Sequence, residues 1–189
     1  KGNVTGTNIP TSSDADRWYN AATFPTAASN KAKDCPNINE LFWYCKKGDP
    51  HWDNTTLWSV WGHLYTGGIW LKKASVIAQK EGKTTTDLKN ASPDGQNRAN
   101  KKVFETPPSQ AVTQGTPSKL NDYFFLPAMG RYAGGKLFYF RTCGDYWTST
   151  PYPYPYTSKI SYNLHFDNGT LTVSNTSNWE NGYKLWKTE

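Results

Sequence analysis

A chain of 189 residues can bury one sizeable core, and 21 Lys and Arg against 15 Asp and Glu give it a formal charge of +6 at pH 7. The excess lysine is scattered over Lys72-Lys73, Lys80 to Lys89 and Lys101-Lys102, which excludes the clustered basic stripe of a nucleic-acid binder. No apolar run of about 18 residues is present to cross a membrane as a helix. Cys35, Cys45 and Cys143 form no Cys-x-x-Cys pair for zinc or redox chemistry. With Lys1 rather than Met in first place, the chain reads as a mature or trimmed form, and any export or lipid-anchor signal would lie upstream.

Lys1 to Ala32 is polar and broken by Gly2, Gly6, Pro10 and Pro25, so it reads as a loop-rich wrap anchored by Trp18, Tyr19 and Phe24. The first helix follows. Asn37 caps it, Glu40 completes a capping box, and Ile38, Leu41, Phe42 and Cys45 recur at i, i+3, i+4 and i+7. Gly48 and Pro50 end it. A helix from Ile38 to Lys47 separates Cys35 from Cys45 by about three turns, too far for a disulfide, and both thiols read as buried and free.

Asp49 to Leu71 is dense in rings: His51, Trp52, Trp58, Trp61, His63, Tyr65 and Trp70. The expectation there is core-lining loop and short strand, with a sugar platform as the rarer use of one or two tryptophans. Lys72 to Pro117 reads as an insertion. In it Leu71, Ala74 and Ala78 give a helical face ending near Gly82, Thr84 or Thr85 caps a second short helix through Leu88, and Ser92 to Thr116 is loop.

Tyr123 to Trp186 predicts four strands of an antiparallel sheet, with Trp147 buried at its centre. Ile160, Tyr162, Leu164 and Phe166 alternate with Ser161, Asn163, His165 and Asp167, which places the polar set outward. Asn168-Gly169 supplies a type I′ turn, and Leu171 and Val173 continue the alternation on the return strand. Between strands, Tyr152, Tyr154 and Tyr156 alternate with Pro151, Pro153 and Pro155, a run that favours polyproline II and holds three phenols at low entropic cost. Such rings serve as a binding loop or pack on the sheet as a stiff crossover.

Leu126-Pro127-Ala128-Met129-Gly130, then Gly144-Asp145-Tyr146-Trp147-Thr148-Ser149-Thr150-Pro151, then Tyr162-Asn163-Leu164-His165-Phe166 form one phrase. It resembles the C-terminal domain of Bacteroides-type fimbrillin-associated and surface proteins of the major-paralogous-domain group. Gly62-His63-Leu64-Tyr65-Thr66-Gly67-Gly68 resembles that family's Gly-x-Leu-Tyr-Thr motif, and Lys33-Asp34-Cys35-Pro36 stands where it carries Asp-Pro-Cys-Pro. Near the end Gly182 is kept while the family's two arginines are absent, and a final strand is expected up to Trp186. The resemblance implies an α+β, C-type-lectin-like fold, with two helices packed on a twisted antiparallel sheet and long loops. Residues 1–189 then form a single domain with 72–117 inserted in it. It further implies a secreted, non-catalytic module attached to the outer membrane or a fimbria. Such a module binds a glycan or a host or bacterial surface protein, or contacts other fimbrial subunits, and uses no cofactor.

Other chemistries are weaker. The lectin-like fold also carries formylglycine-generating enzymes, which use a pair of C-terminal cysteines where this chain has Cys143 alone, with His165 as the only histidine in the same third. His51, Asp53 and His63 match no metal-ligand spacing. Ser92-Pro93-Asp94 and Asn178-Trp179-Glu180-Asn181 keep only parts of a calcium-lectin set. Asn-x-Ser/Thr patterns, as at Asn3, Asn54, Asn168 and Asn175, are as frequent as chance allows in a Thr/Asn-rich chain. Because lectin-like binders vary the loop before the last strands, the expected ligand face is Tyr152, Tyr154 and Tyr156 with Asn175, Asn178 and Trp179. The expected function is cell adhesion, with a structural fimbrial subunit as the alternative. A calcium-dependent lectin or an enzyme relative ranks below both.

Overall fold

The computed structural model describes residues 19, 24–101, 106–153 and 159–187. Helix α1 (Ile38–Lys47) begins as its sequence requires: the Asn37 side chain accepts from the Glu40 amide and the Glu40 carboxylate from the Asn37 amide. From Ile38 to Cys45 the helix is buried, because elements pack on it from several sides. Four strands, β1 (His51–Asp53), β2 (Trp58–Val60), β3 (His63–Tyr65) and β4 (Gly68–Lys72), follow it. Then come α2 (Ala74–Lys80) and α3 (Thr85–Asn90), the latter opened by a capping box of Thr84 with Asp87.

The next strands are β5 (Ser109–Ala111), β6 (Thr113–Gln114) and β7 (Tyr123–Pro127). After them β8 (Arg131–Ala133) and β9 (Lys136–Phe138) form a short hairpin, and β10 (Gly144–Pro151), β11 (Ile160–Phe166) and β12 (Thr170–Asn178) form the longest ladder. The architecture is mixed α+β, with three α-helices among the described residues rather than the two expected.

The strands do not form one sheet. β6-β1-β4-β7 makes a first sheet, antiparallel except for the β1–β6 pair, and β10-β11-β12-β5 makes a second, wholly antiparallel one. The region from Tyr123 onward is therefore divided, β7 going to one sheet and β10 to β12 to the other. Tyr146 ties them together by donating to the Pro127 carbonyl at 2.7 Å.

Residues 72–117, expected as an insertion, are built into both sheets: β5 edges the second, β6 edges the first, and only Val112 lies between them. Fully buried Asn39 holds the loop after α3, donating to the Lys89 carbonyl and Asn97 and accepting from Ser92 and the Arg98 amide. Ile77 and Leu88 join the same continuous core as Trp147, Phe166 and Trp186.

Local details also depart from expectation. The β11–β12 hairpin forms, yet Asn168 and Gly169 are not among the positive-φ residues, so the turn is not type I′. Instead the Asp167 carboxylate accepts from the Gly169 and Thr170 amides at 2.8 and 2.7 Å and closes the loop from within. Half of the expected outward set of β11 is interior, while His165 and Asp167 are half-buried. Ser161 and Asn163 are fully buried: Asn163 shares a face with its partner Trp147, which Tyr19 and Tyr183 cover, while residues 182 and 184 make only isolated bridges to Tyr132 and Tyr146 rather than a final strand. Trp147 is buried as expected, stacked on Tyr183 at 4.6 Å, but on the terminal strand β10, whose free edge is covered by Ala28, Pro36 and Lys184. Cys35 and Cys45 are buried free thiols, and burial pushes them up to about 11 and about 12.

Candidate functional site

The strands β2 and β3 form an isolated hairpin whose Val60–His63 pair leaves a two-residue loop, Trp61-Gly62. Both loop residues have positive φ, 53° and 77°, the conformation of a type I′ turn. Asn or Asp is the usual first residue there, because a left-handed backbone costs an L side chain such as Trp about 1–2 kcal/mol. The hairpin nonetheless lifts its indole into solvent: Trp61 is 54% exposed, and a Cβ on Gly62 would meet nothing within 4 Å. Leu57 and Leu64 are 63% and 68% exposed, Leu64 on the face opposite the Trp58–Tyr65 pair.

The hairpin's foot is rigid. Asp53 is buried at the end of β1, and one oxygen accepts from the Thr55 amide and hydroxyl and the Thr56 amide, the other from the hydroxyls of Thr56 and Thr116 and the Trp70 indole. Burial works against its charge, but these donors prevail and hold the carboxyl well below the ordinary range. Trp58, also buried, donates its indole N–H to the Gly67 carbonyl at 2.9 Å.

A second segment meets the hairpin. Phe140 stands within 5.6 Å of Trp58, 5.6 Å of Trp61 and 4.9 Å of Tyr65, ring centre to ring centre. Its loop is held by Arg141 N–H to the Ala128 carbonyl, Cys143 N–H to the Tyr139 carbonyl and Gly130 N–H to the Cys143 carbonyl. Gly130 is required there, since a Cβ would fall 2.1 Å from the Phe138 carbonyl oxygen. Tyr139 and Arg141 take positive φ, 57° and 71°, so three of the four non-glycine residues in that region among those described lie in this one crest. Phe138 and Tyr139 project into solvent from it. Strain of this kind persists where surrounding structure over-determines it, and it gathers at ligand-contacting sites.

Beneath the crest lies a polar cluster. Asp145, buried on β10, accepts from Asn163 at 2.9 Å and contacts His165 Nδ1 at 2.9 Å, while Arg131 lies 3.5 Å from its other oxygen. Ser177 donates to Asn163 at 2.7 Å, and the Arg131 guanidinium sits 5.3 Å from the Tyr139 ring centre, joining cluster to crest. The Asp145 hydrogen bond raises the His165 pKa, against the opposing effect of burial. Burial raises the Cys143 thiol, and Asp167 and Asp145 raise it further, the reverse of the surroundings that activate a nucleophile. Among the described residues no group of three or more His, Cys, Asp or Glu is placed to hold a metal. No helix among them is long and apolar enough to cross a membrane.

The ligand face expected from sequence is only partly assembled. Tyr154 and Tyr156 lie outside the described residues. Tyr152 is half-buried with its ring edge against Tyr162 at 5.2 Å, and the Tyr152 amide bonds to Ile160, which pairs with exposed Asn178. Tyr152 and Asn178 therefore share one end of the second sheet, with half-buried Asn175 beside a bulge in β12. Trp179 is a correction: it is 4% exposed and stacked on Tyr19 at 4.8 Å, because the chain turns inward after Asn178 and buries the indole as a core ring. The crest occupies the other end of that sheet, near Gly144. Trp61 was within view among the rings of residues 49–71, and the signal for it was a Trp-Gly pair between short alternating runs. Tyr139 and Phe138 gave no such signal. Comparison with protein-family models, with curated proteins and with solved structures finds no match for this chain.

Proposed function

We propose that this chain is a non-catalytic recognition module acting at the cell exterior, an adhesin of the fimbria-associated, C-type-lectin-like kind, and that it engages its ligand through the crest. The supporting observation is the coincidence of backbone strain with exposed rings at Trp61 and Tyr139. Rings fixed in place before contact lose little conformational freedom on binding, which favours affinity. Binding of labelled protein to whole cells and to glycan and protein arrays tests the reading. A Trp61→Ser/Tyr139→Ser variant with unchanged melting loses that binding; equal binding by the variant overturns it. The alternative, a structural subunit whose crest packs on a neighbour, predicts that the same variant fails in fibre assembly while cell binding persists.

A further inference from the structure

Residues 57–65 and 131–142, which build the crest, contain Arg131, Lys136 and Arg141, with His63, and no Asp or Glu. Lys136 and Arg141 are exposed, and Lys136 shares a face of β9 with exposed Phe138. Of the described acids around it, Asp53 is buried and saturated with donors, Asp145 is buried and occupied by Asn163, His165 and Arg131, and half-buried Asp167, which acts on the Cys143 thiol, accepts from the Gly169 and Thr170 amides. The crest segments thus expose Trp61, Leu57, Leu64, Phe138 and Tyr139 together with Lys136 and Arg141 and carry no acid of their own, on a molecule with a formal charge of +6.

Three features bear on what such a surface meets. It is built on a hairpin turn that holds its indole in solvent, and a fluid interface can receive such a turn without a preformed cavity. Its apolar members are aliphatic as well as aromatic, and exposed leucines offer a sugar neither a stacking plane nor a hydrogen bond. Trp and Tyr beside Arg and Lys is the composition that settles at the boundary between headgroups and acyl chains, where amphipathic rings and basic side chains are both satisfied.

We infer that the crest docks on an anionic phospholipid surface, the Trp61 tip with Leu57 and Leu64 entering the headgroup boundary and Lys136 and Arg141 resting on lipid phosphates. This rests on the reading of the crest as the ligand-engaging face and names its partner. Attachment of this kind is peripheral and reversible, since a few apolar side chains and cations give far weaker anchoring than a spanning segment. It is also salt-sensitive.

The test is co-sedimentation of the whole chain with vesicles of phosphatidylcholine alone and of phosphatidylcholine with phosphatidylglycerol in equal parts, at low and high salt. Binding is expected to the anionic vesicles, weakened by salt. Leu57→Ser/Leu64→Ser changes only exposed side chains and is expected to lower affinity by about tenfold or more. Lys136→Ala lowers it about fivefold, the weight of one basic side chain near such a surface. Melting curves of each variant show whether the fold is retained, and Trp61→Ser is a second probe should the double variant fail to fold. Absence of vesicle binding, equal binding to neutral vesicles, or wild-type binding by the folded variants overturns the lipid assignment. If cell or array binding depends on the crest while vesicles are ignored, the recognition reading stands and the occupant is an acidic protein or a glycan.

Discussion

Replacing Trp61 by Asn separates the cost of the crest from its use. The backbone at Trp61 has φ 53°, followed by Gly62 at 77°, and Asn-Gly is the pair that a type I′ turn favours. Relieving the left-handed tryptophan returns about 1–2 kcal/mol. Against this stands the lost ring contact with Phe140 at 5.6 Å, worth about 0.5–1.5 kcal/mol. The two nearly cancel, so the folded state is expected to change by less than about 1 kcal/mol in either direction. In a chain of this size that moves Tm by no more than about 2–4 °C. Binding, in contrast, is expected to fall with the loss of the projecting indole. Thermal and urea unfolding give the first quantity, and vesicle co-sedimentation or cell binding the second. A loss of more than about 3 kcal/mol, the range of a buried Trp truncation, refutes the reasoning by showing Trp61 to be a packing residue. Undiminished binding refutes it from the other side.

Trp147→Ala removes a fully buried ring stacked on Tyr183 and should cost about 3–5 kcal/mol by calorimetry. Trp147→Phe should cost distinctly less, because it also deletes an indole N–H that finds no acceptor among the described residues. His165 has a raised folded-state pKa, so its contact with Asp145 contributes stability that is complete below about pH 6.5 and fades as pH rises through the raised value. His165→Gln should flatten that part of the stability profile, measured by urea unfolding from about pH 5 upward through neutrality. Changing Tyr152, Tyr154 and Tyr156 together to Ser should leave crest-dependent binding intact. Loss of binding with retained folding would return the ligand face to the tyrosine-proline run. Cys143→Ser should leave binding unchanged in the same assays, as the raised thiol implies.

The sequence by itself determined what is local. Capping at Asn37 depends on contacts three residues apart, and the alternation over 160–166 on the pleat of a single strand, so both were legible without knowledge of the remaining chain, whereas the structure chose Thr84 over Thr85 as the later cap. Where the polar half of that strand points is a different matter. Alternation says that Ser161 and Asn163 share a face, but only the packing of Tyr19 and Tyr183 on Trp147, the partner of Asn163, decided that it is interior, and Tyr19 stacking on Trp179 decided the fate of that ring. The same holds for residues 72–117, whose short polar strands β5 and β6 carry no periodicity of their own and gain order from the two sheets they border. The candidate site follows this division. A crowd of rings between 49 and 71 was plain in the sequence, yet rings bury and rings bind, and composition does not separate the two. Tertiary structure separated them: Asp53 and Gly67 hold the hairpin foot and bury Trp58, the turn carries Trp61 beyond the core, and Gly130 brings a distant loop close enough for Phe140 to support it.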